Sequence, residues 1–422
     1  MFPKNGWYAA IWSKDLTAEP VGRTFLGEAV VLFRGANGKP AALEDRCCHR
    51  AAPLSLGAVE GDHLRCGYHG LTFDAKGQCV SVPGQDSVPS NARVRAYPVA
   101  ERYNVVWIWM GDPARADDSK IVELPWLADH GWTLTPGYMR IDANAQLLID
   151  NLLDYTHVAH LHKNTISGDP REATTPTKTE RLNDGVRVGR WMIDFKPPPL
   201  FAKAGGFDGN VDRWQHATWR PPSIVYMDVG AAKTGTGAPE GDRSQGISIW
   251  STHLVTPESE ATCHYHFGFA RNFQRDDAAM SKLLYDGTVN TFLEDKVMLE
   301  AQQKNLKGGA IDGLIHIGAD AAQMQARRML DELVRAARVE DRGGSAQLLA
   351  RDHRRQPGQR LRFAARLLQA LVRRGVDLVR RVGDVQEVPE RERGLGFGGG
   401  VERVDRALQQ PIVELRSDQL AK

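Results

Sequence analysis

The sequence predicts an α+β protein: an all-β N-terminal domain, then an α+β domain on a mostly antiparallel sheet. From Val21 to about Asp112 the chain is a run of short apolar stretches punctuated by turn residues. From about Ile121 to Ala337 strand-like stretches alternate with segments of helical periodicity. The length, 422 residues, suffices for two domains with a core in each.

Each element has a local reason. In "TFLGEAVVLFRGANGKPAALE" a turn at Asn37-Gly38 separates two apolar runs, a hairpin signal. "LTFDAKGQCVSV" repeats it with Asp74 and Gly77, and "NVVWIWMGDP" reads as a buried strand ended by Gly111 and Pro113. The polar "ARADDSK" is a linker, so a first domain spans 1–115 and a second 121–337. In the second, "QLLIDNLLDYTHVAHLH" has helical periodicity. "GVRVGRWMIDF", "PSIVYMDVGAA", "GISIWSTHLVTP" and "ATCHYHFGFAR" read as strands. "DAAMSKLLYDGTVNTFLEDKVMLEAQQKNL" and "DAAQMQARRMLDELVRAA" read as amphipathic helices. Residues 341–422 differ in kind, with sixteen arginines and one lysine, Lys422. They are expected to be a solvated extension, in which "RFAARLLQALVRRGVDLVRRVG" has the pattern of a basic amphipathic helix.

Composition excludes several classes. With 42% hydrophobic and 25% charged residues and a net charge of +2, no strong attraction to nucleic acid or anionic membrane is expected. No apolar stretch approaches the roughly 20 residues of a membrane span. "MFPKNGWYAAIW" lacks the basic-then-apolar layout of a signal peptide, so a cytoplasmic location is expected. Five cysteines, four of them before residue 80, suit metal binding in a reducing compartment better than a disulfide framework.

The densest signal is "CCHRAAPLSLGAVEGDHLRCGYHG". Cys47 and His49 form C-x-H and, after sixteen intervening residues, Cys66 and His69 form C-x-x-H. A zinc finger places its cysteine pair before its histidine pair. Here each half supplies one sulfur and one nitrogen, which suits two different irons. That is Rieske [2Fe–2S] ligation, with both cysteines on one iron and both histidines on the other. Gly67 and Gly70 let the backbone bend around His69, and Cys48 falls outside the pattern.

On these residues the chain resembles the oxygenase component of the Rieske non-haem iron aromatic ring-hydroxylating oxygenases, over about residues 1–337. The resemblance implies a Rieske domain followed by a helix-grip catalytic domain holding a mononuclear Fe(II) in a 2-His-1-carboxylate site. "DNLLDYTHVAHLHKN" offers His157, His160 and His162. On a continuous helix Asp154 and His157 share a face, as do His157 and His160. The family's N-x2-D-x2-H-x4-H pattern instead falls on Asn151, Asp154, His157 and His162. On an ideal helix, positions five apart lie about 140° around the axis. His162 therefore requires a distorted or ending helix. The E-D-K run in "TFLEDKVMLEAQQ" points by resemblance to Asp295 as the carboxylate, with Glu294 its competitor.

The resemblance further implies a head-to-tail homotrimer, with electrons from NADH through a separate flavin and iron–sulfur reductase. Asp154 would bridge a cluster histidine of one subunit to an iron histidine of the next. "MFPKNGWYAA" and "DRWQHATWRPPS" resemble the vanillate O-demethylase group, which implies O2-dependent O-demethylation of a carboxylated aromatic ether such as a methoxybenzoate. In "GISIWSTHLVTP" a period of two puts Ile247, Ile249, Ser251 and His253 on one face, and His253 falls where relatives place a substrate-contacting histidine. A hydrogen-bonded sheet histidine is the competing reading. Two other functions compete: angular dioxygenation of a phenoxybenzoate, and a Rieske electron carrier without oxygenase activity. Iron analysis separates the carrier, with two irons per chain, from an oxygenase, with three. Because the arginine-rich segment contributes no ligand, a chain ended near Glu340 is expected to fold, bind iron and turn over. Loss of solubility or of assembly on truncation would refute this.

Overall fold

The computed structural model describes residues 2–306 and 314–352, with side chains through residue 337. Its N-terminal part is all β: β1 (Gly6–Trp12), β2 (Val21–Phe25), β3 (Glu28–Arg34), β4 (Pro40–Glu44), β5 (Ala58–Glu60), β6 (His63–Arg65), β7 (Thr72–Phe73), β8 (Cys79–Ser81), β9 (Ala96–Tyr97), β10 (Val99–Arg102) and β11 (Val105–Met110). They form three small antiparallel sheets, ordered β1-β11-β10, β2-β3-β4-β9 and β5-β6-β7-β8. Both expected hairpins are present, β3–β4 around Asn37-Gly38 and β7–β8 around Asp74 and Gly77. Strand β1 lies ahead of the expected start at Val21 and pairs with β11 from Gly6↔Met110 to Trp12↔Val105. All of β1 except Gly6 is buried, so it shows no polar alternation by which to read it.

The second part holds β12 (Thr133–Ile141), α1 (Ala145–Leu152), α2 (Val158–Leu161), β13 (Lys178–Leu182), β14 (Gly185–Phe195), α3 (Pro199–Gly205), β15 (Val211–Arg220), β16 (Ile224–Lys233), β17 (Gly246–Pro257), β18 (Cys263–Arg271), α4 (Ala278–Asn305) and α5 (Ala321–Asp352). Its sheet is seven-stranded and antiparallel, ordered β12-β18-β17-β16-β15-β14-β13. The expected basic helix beyond residue 360 lies outside the described residues.

Period-two alternation gives this sheet two different jobs. On β17 and β18, Val255, Tyr265 and Phe267 face α1 and α4, where they join one apolar core. The alternate residues Leu254 and Ala270 face away, into a cluster with Trp7, Trp12, Trp107, Trp109 and Trp126 that ties the β-domain to the sheet. Indole donors fix this contact: Trp12 Nε1 donates to Gly137 O (2.9 Å) and Trp126 Nε1 to Thr252 Oγ1 (2.8 Å). His264 also belongs here, its Nε2 3.0 Å from Thr24 O. At Gly268 a Cβ would come within 3.1 Å of the Trp12 ring, so a bare backbone is what admits the indole.

Helix α4 lies on the other face through Met280, Leu284, Thr288, Thr291, Phe292, Asp295 and Leu299, one helical stripe. Phe292 is its anchor, with ring centroids 5.1–6.0 Å from those of His253, Tyr265, Phe267 and Phe269. Phe292→Ala is expected to destabilise the catalytic domain by about 3–5 kcal/mol. A thermal midpoint unchanged in the variant would show that α4 is seated by other contacts.

Candidate metal centres and cavity

Two loops of the β-domain repeat one backbone design. Cys47 N–H donates to Ala52 O and Cys66 N–H to Leu71 O, each at 2.8 Å. Four residues on, Ala51 N–H returns to Cys47 O (2.9 Å) and Gly70 N–H to Cys66 O (3.1 Å). Both return residues have positive φ, 57° for Ala51 and 75° for Gly70, a conformation that glycine takes freely. The loops bury Cys47 and Cys66 side by side and present His49 and His69 outward, ring centroids 4.6 Å apart. Burial and the neighbouring Cys66 push the Cys47 thiol up to about 11. Cys48 points to solvent. Two adjacent thiols beneath two imidazoles are the donor set of a Rieske cluster, whose irons hold thiols deprotonated.

The second centre depends on a break in a helix. The stretch expected to be one helix is two, α1 ending at Leu152 and α2 running from Val158 to Leu161. Asp154 and His157 therefore do not share a helical face. The Asp154 carboxylate accepts from Thr156 N–H (2.6 Å) and Thr156 Oγ1 (2.7 Å), a local pairing that competes with helix continuation. His157 then caps the start of α2 and His162 its end. His157, His162 and Asp295 of α4 converge, each offering one atom within 4.8 Å of the others. His162 is buried, whereas His160 is exposed.

Carboxylates flank both imidazoles. His157 presents Nδ1 to Asp154 at 3.6 Å and Nε2 to Asp295 at 3.6 Å. His162 presents Nδ1 to Glu294 at 2.6 Å and Nε2 to Asp295 at 3.1 Å. Glu294, the competitor for the carboxylate role, thus lies behind a histidine. Thr165 Oγ1 donates to it (3.0 Å), and Asn151 Nδ2 donates to Asp295 Oδ1 (2.9 Å). A neutral His162 giving its Nδ1 proton to Glu294 would turn a bare Nε2 lone pair onto a carboxylate oxygen. That clash is relieved only by positive charge between them, a proton or a metal ion. Burial opposes a charged His162, yet hydrogen bonds with Asp295 and Glu294 hold it above its ordinary value. The donor set fits a 2-His-1-carboxylate metal.

Beside this site lies a cavity of ≈ 120 Å³, walled by apolar side chains such as Leu152, Ile166, Phe201, Val229, Ile249 and Phe292. Its polar lining away from the metal-site residues includes Arg213, Gln215 and Ser251. His253 also lines it but is almost fully buried, with Nε2 2.8 Å from Ser251 Oγ and Nδ1 2.6 Å from Tyr265 OH. Burial pushes His253 down to about 3, so it is neutral. Both of its nitrogens are taken by protein. Arg213 and Gln215 were not singled out from sequence, and Glu294 was read there only as the competitor of Asp295. The available signal was that arginine and glutamine at 213 and 215 occupy inward positions of a strand.

A cluster-binding β-domain and a three-ligand metal site over an apolar cavity together define a two-centre oxygenase. Residues 6–98 match the Rieske [2Fe-2S] domain, and residues 141–336 match the vanillate O-demethylase oxygenase C-terminal domain. The toluene-4-sulfonate monooxygenase system iron–sulfur subunit of Comamonas testosteroni is 43% identical over 82% of this chain and 100% of its own length. The vanillate O-demethylase oxygenase subunit of a Pseudomonas species is 36% identical over 83% of this chain and 99% of its own. A crystal structure of dicamba monooxygenase with non-heme iron and dicamba superposes with a TM-score of 0.68 at 32% identity, covering 80% of this chain and 98% of that one. The chain belongs to the Rieske non-haem iron oxygenase family, as an oxygenase component of the vanillate O-demethylase group. It is an oxidoreductase whose cofactors are a Rieske [2Fe–2S] cluster and a mononuclear non-haem iron, and the electron-carrier reading falls away.

Replacing single ligands tests the assignments separately. His162→Ala is expected to lose the mononuclear iron and keep the cluster, whereas His160→Ala keeps both by iron analysis. His69→Cys is expected to lower the cluster potential and abolish the Rieske-type EPR signal. Reversed iron contents, or an unaltered spectrum, would refute the respective assignment.

Proposed function

We propose that this oxygenase component hydroxylates an exocyclic carbon, a methoxy or methyl group, on a one-ring aromatic acid. It uses O2 and electrons from NADH delivered by a separate flavin and iron–sulfur reductase. The observation that carries the reading is the cavity. Its walls are apolar, its polar groups are few, and it opens onto the candidate iron ligands His157, His162 and Asp295. Its ≈ 120 Å³ is close to the roughly 150 Å³ cavity known to accept one benzene ring. A one-ring methoxybenzoate fits that space better than a two-ring phenoxybenzoate.

In this reading Cys47, His49, Cys66 and His69 hold the cluster, and His157, His162 and Asp295 hold Fe(II). When bound, the cluster supplies single electrons and the mononuclear iron supplies O2 activation. The chain's own residues do the rest. Glu294 accepts the Nδ1 proton of His162, and Asp154 faces His157 Nδ1 at 3.6 Å, so both Nε2 atoms turn inward. Asn151 fixes the rotation of the Asp295 carboxylate. The apolar walls exclude water from the reacting carbon. Hydroxylating an aryl methyl ether gives a hemiacetal, which collapses to the phenol and formaldehyde. For each turnover O2 contributes one atom to product and one to water, with two electrons from NADH.

Vanillate-type O-demethylation is supported by the matched C-terminal domain. Hydroxylation of the methyl group of an arenesulfonate is favoured by the Comamonas relative. A head-to-tail homotrimer is supported by two exposed surfaces. One is the tip of the cluster loops, with Leu56 and Tyr68 (77% and 68% exposed). The other is a hollow beside Asp154 and His157, where Met298, Leu314 and Ile315 are exposed among polar side chains such as Gln302, His316 and Arg327. A cytoplasmic location is supported by five cysteines, all free. Among the described residues no helix is long and apolar enough to cross a membrane.

The purified protein with a reductase, NADH and O2 is expected to release formaldehyde from a methoxybenzoate or an alcohol from 4-methylbenzenesulfonate. Turnover of 3-phenoxybenzoate alone would overturn the one-ring reading. Asp154→Asn replaces one acceptor oxygen with a donor. It is expected to leave both centres loaded and the cluster reducible while product formation nearly stops. Normal reoxidation of the pre-reduced variant in a single turnover, with substrate and O2, would remove Asp154 from the electron route.

A further inference from the structure

Behind the cavity wall two guanidinium groups share one carboxylate. Arg213 Nη1 donates to Glu172 Oε1 at 3.0 Å, and Arg190 Nη2 lies 3.6 Å from Glu172 Oε2. All three side chains are almost completely buried. Their other contacts are neutral: Arg190 donates to Glu172 O (2.7 Å) and Gln215 Oε1 (2.8 Å), and Arg213 Nη2 to Ile166 O (3.2 Å). Among the described residues no other carboxylate pairs with either arginine. Asp154, the other carboxylate felt by Arg190, faces His157. The cluster therefore carries one net positive charge in a place where an unmatched charge is costly. Arg213 Nε is buried without an acceptor, and the same side chain lines the cavity.

A serine two strands away on the same sheet wall is poised in the same sense. Tyr265 OH is buried, and its one hydrogen-bond partner among the described residues is His253 Nδ1, so it donates there. The neutral His253 then carries its proton on Nε2 and donates it to Ser251 Oγ. The Ser251 O–H is left with no protein acceptor among the described residues, in a residue that lines the cavity.

From these two observations we infer that the sheet wall of the cavity is an anion pole. Arg213 supplies charge, and Ser251, oriented by His253 and Tyr265, supplies a directed O–H, for the acidic head group of the substrate. This rests on the cavity being the substrate site and adds which residues read the acid. His253 is then a positioning residue acting through Ser251. Carboxylate and sulfonate share the required chemistry, and the ligand panel tells them apart.

The test is binding of four probes to the metal-loaded full chain by anaerobic calorimetry: 4-methylbenzenesulfonate, 4-methylbenzoate and their neutral amides. The wild type is expected to favour the anions over the amides by on the order of tenfold or more. The more strongly preferred acid identifies the head group. Arg213→Met, which leaves Glu172 matched by Arg190 alone, is expected to erase most of that preference. Glu172→Gln, which adds net positive charge, is expected to enlarge it. Ser251→Ala weakens acid and amide alike, because both keep acceptor oxygens, and Tyr265→Phe has the same effect non-additively with it. A wild type that binds none of the four probes, or shows no acid preference, overturns the inference. So does a preference unmoved in Arg213→Met and Glu172→Gln, which marks the cluster as purely structural. Should Arg213→Met fail to fold, Glu172→Gln decides alone. Product assays keep the two readings apart. Turnover with an acid preference indifferent to Arg213 sinks only the anion pole, whereas acid binding without oxidation of any probe sinks only the proposed reaction.

Discussion

The catalytic domain is organised around one buried carboxylate. Asp295 sits on the packed stripe of α4, between Phe292 and Leu299, where helical periodicity calls for an apolar side chain. A carboxylate placed there is costly unless several partners surround it. Asn151 from α1 and the two histidines flanking α2 supply them, so Asp295 constrains where α1 ends and where α2 begins and ends. The break after Leu152 follows from this need, because one continuous helix would carry His162 around the axis and away from the site. Packing of Phe292 against the sheet holds α4 at the depth that keeps these groups together.

The sheet carries the same constraint outward. Because successive residues of β17 and β18 point to opposite faces, the strands that seat α4 also seat the tryptophan-rich surface of the β-domain. The two halves of the chain are thus joined through a rigid layer rather than through a flexible tether. Thr256 illustrates the economy of this arrangement. Its hydroxyl donates to Ala9 O of β1 at 2.6 Å, while its neighbour Val255 packs toward the helices.

How much of this was legible in the sequence depended on whether a segment obeyed one period. The hairpins, β17 and β18 follow theirs, and the spacing of Cys47, His49, Cys66 and His69 stands out in any reading. Segment α4 is a helix as expected, but its apolar residues do not keep to one face, since Val297 and Met298 are exposed while Thr288, Thr291 and Asp295 are buried. Strand β1 was missed because it is buried on both faces. Strand β15, "VDRWQHATWR", was missed as a strand because polar residues occupy both faces. Arg213 and Gln215 point to the cavity side, and Asp212 on the alternate face accepts from the Asp194 and Gly235 N–H groups. The helix break was illegible for a related reason, since the apolar positions of "QLLIDNLLDYTHVAHLH" keep helical spacing straight across it. What ends the helix is a short-range bond from Asp154 to Thr156 that no periodicity reports. Local rules failed where residues serve a site rather than the fold.

The same logic explains why the two metal-site histidines differ in burial although their chemistry is shared. His162 is enclosed between Glu294 and Asp295, so its orientation is fixed within this chain before any metal arrives. His157 is more exposed, and its contacts to Asp154 and Asp295, both 3.6 Å, are too long to lock the ring. An imidazole with that freedom takes its final orientation from whatever completes the site, the metal on one nitrogen and Asp154 on the other. Asp154 is anchored in turn by Thr156 through one oxygen, Oδ1, while Oδ2 faces His157. The carboxylate is therefore held in place yet keeps acceptor capacity. A loosely held imidazole beside a fixed, partly unsatisfied acceptor is where a second hydrogen-bonding group gains the most leverage over the candidate metal site.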